Sequence, residues 1–352
     1  MFDIAFYMKV NELKKRLACG EIKDKQIVSE AFEAVRNKKP VIYNIETTNA
    51  CNMRCKMCPR TTMMTRPVET MSPELFRRIV EQIEPHSPEL WNRWEAFVES
   101  EYGISKDAMS ENHFFLHIIP RVIQLHGYGD PLLDRNMADY IALLNSKGFA
   151  SYFSCNPSNI NIEKTVKMFE NGLDYIKYSI ESVDDNVHKQ IRGEASNFSH
   201  SYEKIVKLLD IKKARKYKTT IIITMLDLNS PNQLEEYANL RKAFEGLDVY
   251  IYLKSEDQQW YRKDFHGTCS IHWSEVCKHP WMSMTIKSNG EVAMCMEDFN
   301  NEIILGDARK ESLYEIWNGE KYHQFRKDHI AAKKGMKCLE RCDMKVVGQF
   351  LQ

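Results

Sequence analysis

Between residues 41 and 253 the chain swings repeatedly between two patterns: short apolar runs rich in β-branched and aromatic residues, and longer segments whose apolar residues recur three or four apart. "PVIYNIETT", "RVIQLHG", "ASYFSC", "DYIKYSIE", "TTIIITML" and "LDVYIYL" read as strands. "SPELFRRIVEQI", "MADYIALLNSKG", "IEKTVKMFENG", "YEKIVKLLDIKKARK" and "QLEEYANLRKAF" read as helices. The first of these helices opens on Ser72 with Pro73 at its first position and carries Leu75, Ile79 and Ile83 on one stripe, and the second stops at Gly148. About six such alternations predict an α/β fold with a parallel sheet. In sheets of this kind reactive groups gather where the strands end and the helices begin.

The rest of the chain divides around this repeat. Residues 1–40 read as a short helical segment with Leu13, Leu17, Ile27, Ala31 and Val35 at helical intervals, residues 41–255 as the α/β unit, and residues 256–352 as a C-terminal unit. Residues 85–118 break the rhythm with about one added helix. Its Trp91, Trp94 and Phe97 fit either a stripe packed on the sheet or a lid over its open end. Lys and Arg number 49, as do Asp and Glu, with no long block of one sign, which argues against a nucleic-acid footprint or an anionic membrane surface. No apolar run approaches membrane-spanning length, so a cytoplasmic protein with a small-molecule or peptide partner is expected.

Ten cysteines in a reducing compartment point to metal or chemistry rather than to disulfides. Cys19 and Cys155 stand alone and read as ordinary small residues. Cys51, Cys55 and Cys58 share one loop after the first strand, at spacings of three and then two residues. Three such thiolates suit zinc, with His86, His113 or His117 as a distant fourth ligand, or three of the four irons of a 4Fe-4S cluster. The second arrangement leaves one iron open to a ligand.

The pattern "CNMRCKMC" resembles that of the radical S-adenosylmethionine (SAM) superfamily. The resemblance implies a partial (β/α)6 TIM-like barrel and a 4Fe-4S cluster on Cys51, Cys55 and Cys58. It further implies SAM held on the open iron through its amino and carboxylate groups and cleaved to a 5'-deoxyadenosyl radical. Met57 takes the place of an adenine contact, where the family usually has an aromatic residue. "HGYGDPLL" is similar to the family's "GGEP" loop, which assigns Gly127, Tyr128, Gly129 and Asp130 to the SAM amino group; glycines there permit close backbone approach. "YIKYSIESVDDNVHKQIRG" resembles the segment whose serine and arginine hold the SAM carboxylate, here Ser179 and Arg192, and an arginine pairs two-pronged with a carboxylate. Glu181 and Asn156 are implied near the ribose or the amino group.

In the last quarter, Cys277, Gly290 and Cys295 within "CKHPWMSMTIKSNGEVAMCMED" resemble the opening hairpin of the SPASM or shorter twitch extension, and "GDARKESLYEIWNGEKYHQFR" its helix. Cys338 and Cys342 then complete four ligands for one auxiliary 4Fe-4S cluster, with Cys269 left over; zinc on the same four is the structural alternative. The resemblance implies hydrogen abstraction from a small polar, carbohydrate-like substrate, most simply a sugar or cyclitol dehydrogenation with the auxiliary cluster as electron acceptor. A flavodoxin- or ferredoxin-type protein would be the electron donor. Maturation of a ribosomal peptide is the alternative, and a zinc-stabilised binding protein the remote one. A proton acceptor at the sheet's edge is expected from Lys254, Glu256 or Asp257, with Tyr128 and Tyr178 behind them.

Overall fold

The computed structural model describes residues 1–254, other than 23 and 229, and residues 277–338. Glu256, Asp257, Cys269 and Cys342 lie outside the described residues. Six strands run in sequence order: β1 (Ile42–Ile45), β2 (Val122–Gln124), β3 (Ala150–Cys155), β4 (Tyr175–Ser179), β5 (Thr220–Leu226) and β6 (Tyr250–Lys254). Each pairs in parallel with its sequence neighbours, and β7 (Met284–Ile286) pairs in parallel with the outer side of β1. β8 (Glu291–Ala293) and β9 (Ile304–Asp307) extend that edge antiparallel, giving the order β6-β5-β4-β3-β2-β1-β7-β8-β9. The chain is therefore an α/β protein built on a parallel sheet, and the C-terminal hairpin continues the same sheet. That hairpin turns at Asn289 and Gly290, where Gly290 has φ +86° and the Asn289 side chain accepts from the Glu291 N–H at 3.1 Å.

Fourteen α-helices are described: α1 (Ile4–Ala18), α2 (Lys25–Val35), α3 (Pro59–Thr62), α4 (Pro73–Val80), α5 (Pro88–Tyr102), α6 (Glu111–His113), α7 (Met137–Ser146), α8 (Ile162–Glu170), α9 (Asp185–Arg192), α10 (Phe198–Arg215), α11 (Gln233–Ala243), α12 (His279–Met282), α13 (Leu313–Asn318) and α14 (Glu320–Ile330). Their starts follow the local chemistry. Ser72, Ser87 and Asn161 each place a side-chain oxygen on a first-turn N–H, and Ser312 and Glu315 form a reciprocal capping box. Among the described residues no helix is long and apolar enough to cross a membrane.

Strand alternation sorts the core into two bodies. Ile123, Phe153, Ile176, Tyr178, Ile221 and Ile223 face α4, α7, α8, α10 and α11, whose Phe76, Tyr140, Phe169, Leu208 and Leu240 pack on them. On the opposite face, Tyr43, Val122, Tyr152, Ile222, Tyr250 and Tyr252 meet Phe6 and Tyr7 of α1, Trp94 of α5 and Phe114. The 85–118 insertion belongs to this second body. Trp94 is fully buried, its indole N–H donates to the Leu116 carbonyl, and its ring meets Tyr7 edge to face. The insertion thus packs with the N-terminal helix beneath the sheet, where Tyr250, at the start of β6, donates to the Ser110 carbonyl. The Trp94 side of the insertion is therefore a packed stripe.

Candidate active site at the strand ends

A cavity of about 280 Å³ opens where the parallel strands end. Cys51, Cys55, Met57 and Cys58 form one wall, Gly127, Tyr128, Gly129 and Asp130 the next, and Asn156, Ser179, Glu181 and Arg192 follow around it. Lys254 closes the β6 side, and Met296 and Glu297 of the C-terminal hairpin close the β1 side. Tyr178 is the exception among the expected residues. Register turns it to the helix side of β4, where it is fully buried, so a proton-accepting role there is corrected by strand alternation.

The cysteine loop is fixed by its neighbours. The Cys58 N–H donates to the Cys55 carbonyl at 3.2 Å as the chain enters α3, and Arg60 Nε donates to the Asn49 carbonyl at 2.9 Å. The Arg54 and Lys56 N–H groups donate to the Arg192 and Ile191 carbonyls at 3.1 and 2.9 Å, docking the loop on the last turn of α9. From the same turn, Arg192 Nη1 donates to Cys55 Sγ at 3.7 Å. Burial pushes the Cys51 thiol up and that of Cys58 up to about 11, so both are protonated until something cationic takes them as thiolates. Three thiols on one cavity wall, with a guanidinium to offset their charge as thiolates, fit a three-cysteine iron–sulfur cluster.

The glycine loop has a reason of its own. A Cβ on Gly127 would collide with the Glu46 carboxylate, and one on Gly129 with the Thr48 carbonyl. The close approach these glycines allow is to the end of β1, a tighter constraint than the ligand approach expected from the sequence. Glu46 is fully buried and accepts from Arg66 Nη2 at 2.6 Å, the Tyr128 N–H at 3.3 Å and Ser288 Oγ at 3.1 Å.

A polar chain runs behind the expected SAM contacts. Glu181 pairs with Arg192 through one oxygen and accepts from the Leu226 N–H at 2.8 Å through the other. The Glu181 N–H donates to His188 Nδ1 at 3.2 Å, which leaves Nε2 to donate to Ser196 Oγ at 2.8 Å. Asn156 Nδ2 donates to Ser196 Oγ at 3.0 Å, and the Asn156 N–H to Asp130 Oδ2 at 3.1 Å. Asp130 also accepts from Asn159 Nδ2 at 2.7 Å and the Leu132 N–H at 3.0 Å, and burial raises its pKa. Asp130 and Asn156 therefore tie strand ends together, a structural duty that the sequence reading did not give them. Among the described residues, Arg192 keeps a buried Nε without a partner and Ser179 Oγ meets Ser154 Oγ at 3.5 Å, so these two retain capacity for a carboxylate.

On the hairpin side, Tyr128 donates to Glu297 Oε2 at 2.9 Å and joins the glycine loop to the segment that follows Cys295. Burial pushes the Cys295 thiol far up, and the charge of Cys277 adds to the effect, so the two lie within electrostatic reach. Cys338 is buried, with Sγ 3.8 Å from His329 Nδ1. Of the four cysteines expected to hold an auxiliary cluster, three are described, and Cys295 stands one residue from the cavity wall. Sequence reasoning missed Glu297, His126 and Lys177 on that wall. The signal for Lys177 was a lone lysine in the apolar run "YIKYSIE", two positions before Ser179 and so on the same face.

A strand-end cavity walled by clustered cysteines defines a cofactor-dependent α/β protein, and comparison with known families takes this further. Residues 119–241 match the Radical SAM superfamily model, and residues 277–343 match SPASM, an iron-sulfur cluster-binding domain. The chain belongs to the radical SAM superfamily, a class of enzymes, and carries a C-terminal SPASM domain. That family brings a 4Fe-4S cluster and SAM, and the SPASM domain brings auxiliary iron–sulfur clusters. No curated protein matches the sequence. Among solved structures, anSMEcpe with bound AdoMet is 13% identical over 86% of this chain and 84% of its own, with a TM-score of 0.52. SuiB of Streptococcus suis bound to S-adenosylmethionine is also 13% identical, over 92% and 83%, with a TM-score of 0.51. BtrN in complex with AdoMet and 2-DOIA is 16% identical over 86% and 93%, with a TM-score of 0.49. At these identities the likeness is one of fold.

Proposed function

We propose that this chain cleaves SAM reductively and uses the resulting 5'-deoxyadenosyl radical to take hydrogen from a small polar substrate, oxidising an alcohol carbon to a carbonyl. One observation supports the reading: a cavity lies between the three-cysteine loop and Met296 and Glu297, the two residues that follow Cys295, so a substrate bound there would lie between the first cysteine set and the segment that carries Cys295. Cys51, Cys55 and Cys58 would hold one 4Fe-4S cluster and Cys277, Cys295, Cys338 and Cys342 a second, and these would supply the one-electron chemistry, including an acceptor for the electron left on the substrate. The chain's own groups orient and neutralise. Arg192 and Ser179 hold the SAM carboxylate, the backbone from Gly127 to Gly129 meets the amino group, and Met57 lies against the adenine. A base on the β6 side of the cavity receives the hydroxyl proton; Lys254 lines that side.

The test is deuterium transfer. Anaerobically reconstituted protein should hold about eight irons, the content of two 4Fe-4S clusters. With SAM and a reductant it should form 5'-deoxyadenosine, and carbon-deuterated polyols and sugars should pass deuterium into it. Cys55→Ala should abolish 5'-deoxyadenosine. Cys295→Ala should retain its formation and lose the carbonyl product. Zinc in place of iron would sink the whole reading, and deuterium transfer from a labelled peptide but from no polyol would replace the substrate class.

A further inference from the structure

Lys177 sits mid-strand in β4, and its side chain points away from the helices into the cavity. The residue is 7% exposed. Its Nζ stands 5.1 Å from the ring centroid of Phe114 and 5.8 Å from that of Tyr152. Among the described residues these two aromatic faces are its only close partners: no carboxylate, carbonyl or hydroxyl accepts from it. The cavity's acidic groups are engaged elsewhere, Asp130 with Asn156 and Asn159, Glu181 with Arg192, and Glu297 with Tyr128.

An ammonium held this way is costly, because burial removes most of its water and the ring faces return only part of its solvation. Such a group escapes in one of two ways, by losing its proton or by gaining an anion. Burial, reinforced by the charge of Lys254, brings the pKa of Lys177 down to about 7, so near neutrality the two forms are balanced. An anion entering the cavity would tip that balance toward the ammonium.

We infer that Lys177 is a substrate-anchoring residue whose ammonium pairs with an anionic group, a carboxylate or a phosphate, on the molecule that enters this cavity. The inference rests on the cavity being the substrate site and narrows the polar substrate to an acidic one. Among the described residues, the groups that face Lys177 are Lys254 from β6, Glu111 from α6, Arg192 from α9, Glu181 beyond the end of β4 and His126 beyond β2. Pairing draws a proton onto the amine, so anion affinity is expected to fall as pH rises above about 7.

The experiment is competitive acetylation of the reconstituted protein, without SAM, by the uncharged reagent N-acetoxysuccinimide. Peptide mass spectrometry compares Lys177 with the exposed Lys164. Inorganic phosphate, acetate, sodium chloride at matched ionic strength and myo-inositol serve as probes. Phosphate or acetate should slow Lys177 about tenfold, the protection given by a ligand at about ten times its Kd. Chloride and inositol should not, and the protection should fade toward alkaline pH; the better of phosphate and acetate identifies the anion. Lack of labelling at Lys177, lack of protection by either anion, or equal protection by inositol overturns the inference. Failure to form 5'-deoxyadenosine would sink the radical reading and leave the protection untouched. Lost protection with 5'-deoxyadenosine still formed would sink the anchor alone.

Discussion

Glu46 shows what one residue does in this site and why it could not be read from the chain. It sits in "YNIETT", where a lone glutamate after a strand carries no motif, yet its carboxylate joins Arg66, the glycine loop and Ser288 of the C-terminal hairpin. The residues that were legible, Cys51, Cys55, Cys58, Ser179 and Arg192, announce themselves by spacing within a short segment. Glu46 and Lys177 act through partners that the fold brings in from distant segments, and no local pattern encodes those. Burial raises the Glu46 pKa, but Arg66 and Lys287 pull it back past its ordinary value, so the net shift is downward. Glu46→Gln should therefore cost about 3–5 kcal/mol in urea unfolding at pH 7, because Arg66 is left buried without its counter-charge. Since the folded pKa lies below the unfolded value of 4.5, the pair's contribution is complete above that pH and is lost as pH falls through the folded pKa. The deficit of the variant should shrink in acid, and a deficit unchanged down to pH 3 would show that charge is not the cause.

Elements were the most legible level, and the reason is periodicity. Each of the six strands and five helices read from "PVIYNIETT" to "LDVYIYL" is present, because burial on both faces of the sheet writes apolar runs and one buried stripe writes a helix. The insertion's position was less legible, since a Trp and Phe stripe says that a face is covered and not by what. How elements meet was not legible at all. The last turn of α9 receives the cysteine loop through the Arg54 and Lys56 N–H groups, and Gly193 follows with φ +99° and packs tightly beside Arg54. Gly193→Ala should add roughly 1–3 kcal/mol of backbone strain, and its Cβ would fall 3.0 Å from the Arg54 nitrogen. Gly246→Ala is the control, because φ there is +77° and nothing lies within 4 Å of the added carbon. Both variants should lose thermal stability, and only Gly193→Ala should also take up less iron on reconstitution. Equal iron content in the two would separate the loop's docking from its capacity for a cluster.

At the scale of the whole molecule, the sheet and its packing bury histidines far apart in sequence, and this sets the acid limit of the fold. His86 before α5, His126 beyond β2, His188 in α9, His279 in α12 and His329 in α14 all have pKa values pushed down by burial, to about 3 for His126 and about 4 for the others. An unfolded histidine titrates near 6.5, so each of these binds a proton on unfolding anywhere between that pH and its folded value. A folded pKa below the unfolded one means stability that is complete above about 6.5 and is lost as pH falls, at about 1.4 kcal/mol per pH unit for each histidine. Asp3, Asp130, Asp134 and Asp174 work against this, because burial raises their pKa values and the folded state gains protons there as pH falls. The five histidines have the wider window and should dominate between pH 6.5 and 5, where few unfolded carboxyls titrate. Urea midpoints measured at pH 7.0, 6.0 and 5.0 should therefore decline with increasing steepness, with net proton uptake on unfolding at pH 5.5. A flat midpoint across that range would mean that these rings are hydrated and protonated in the folded protein.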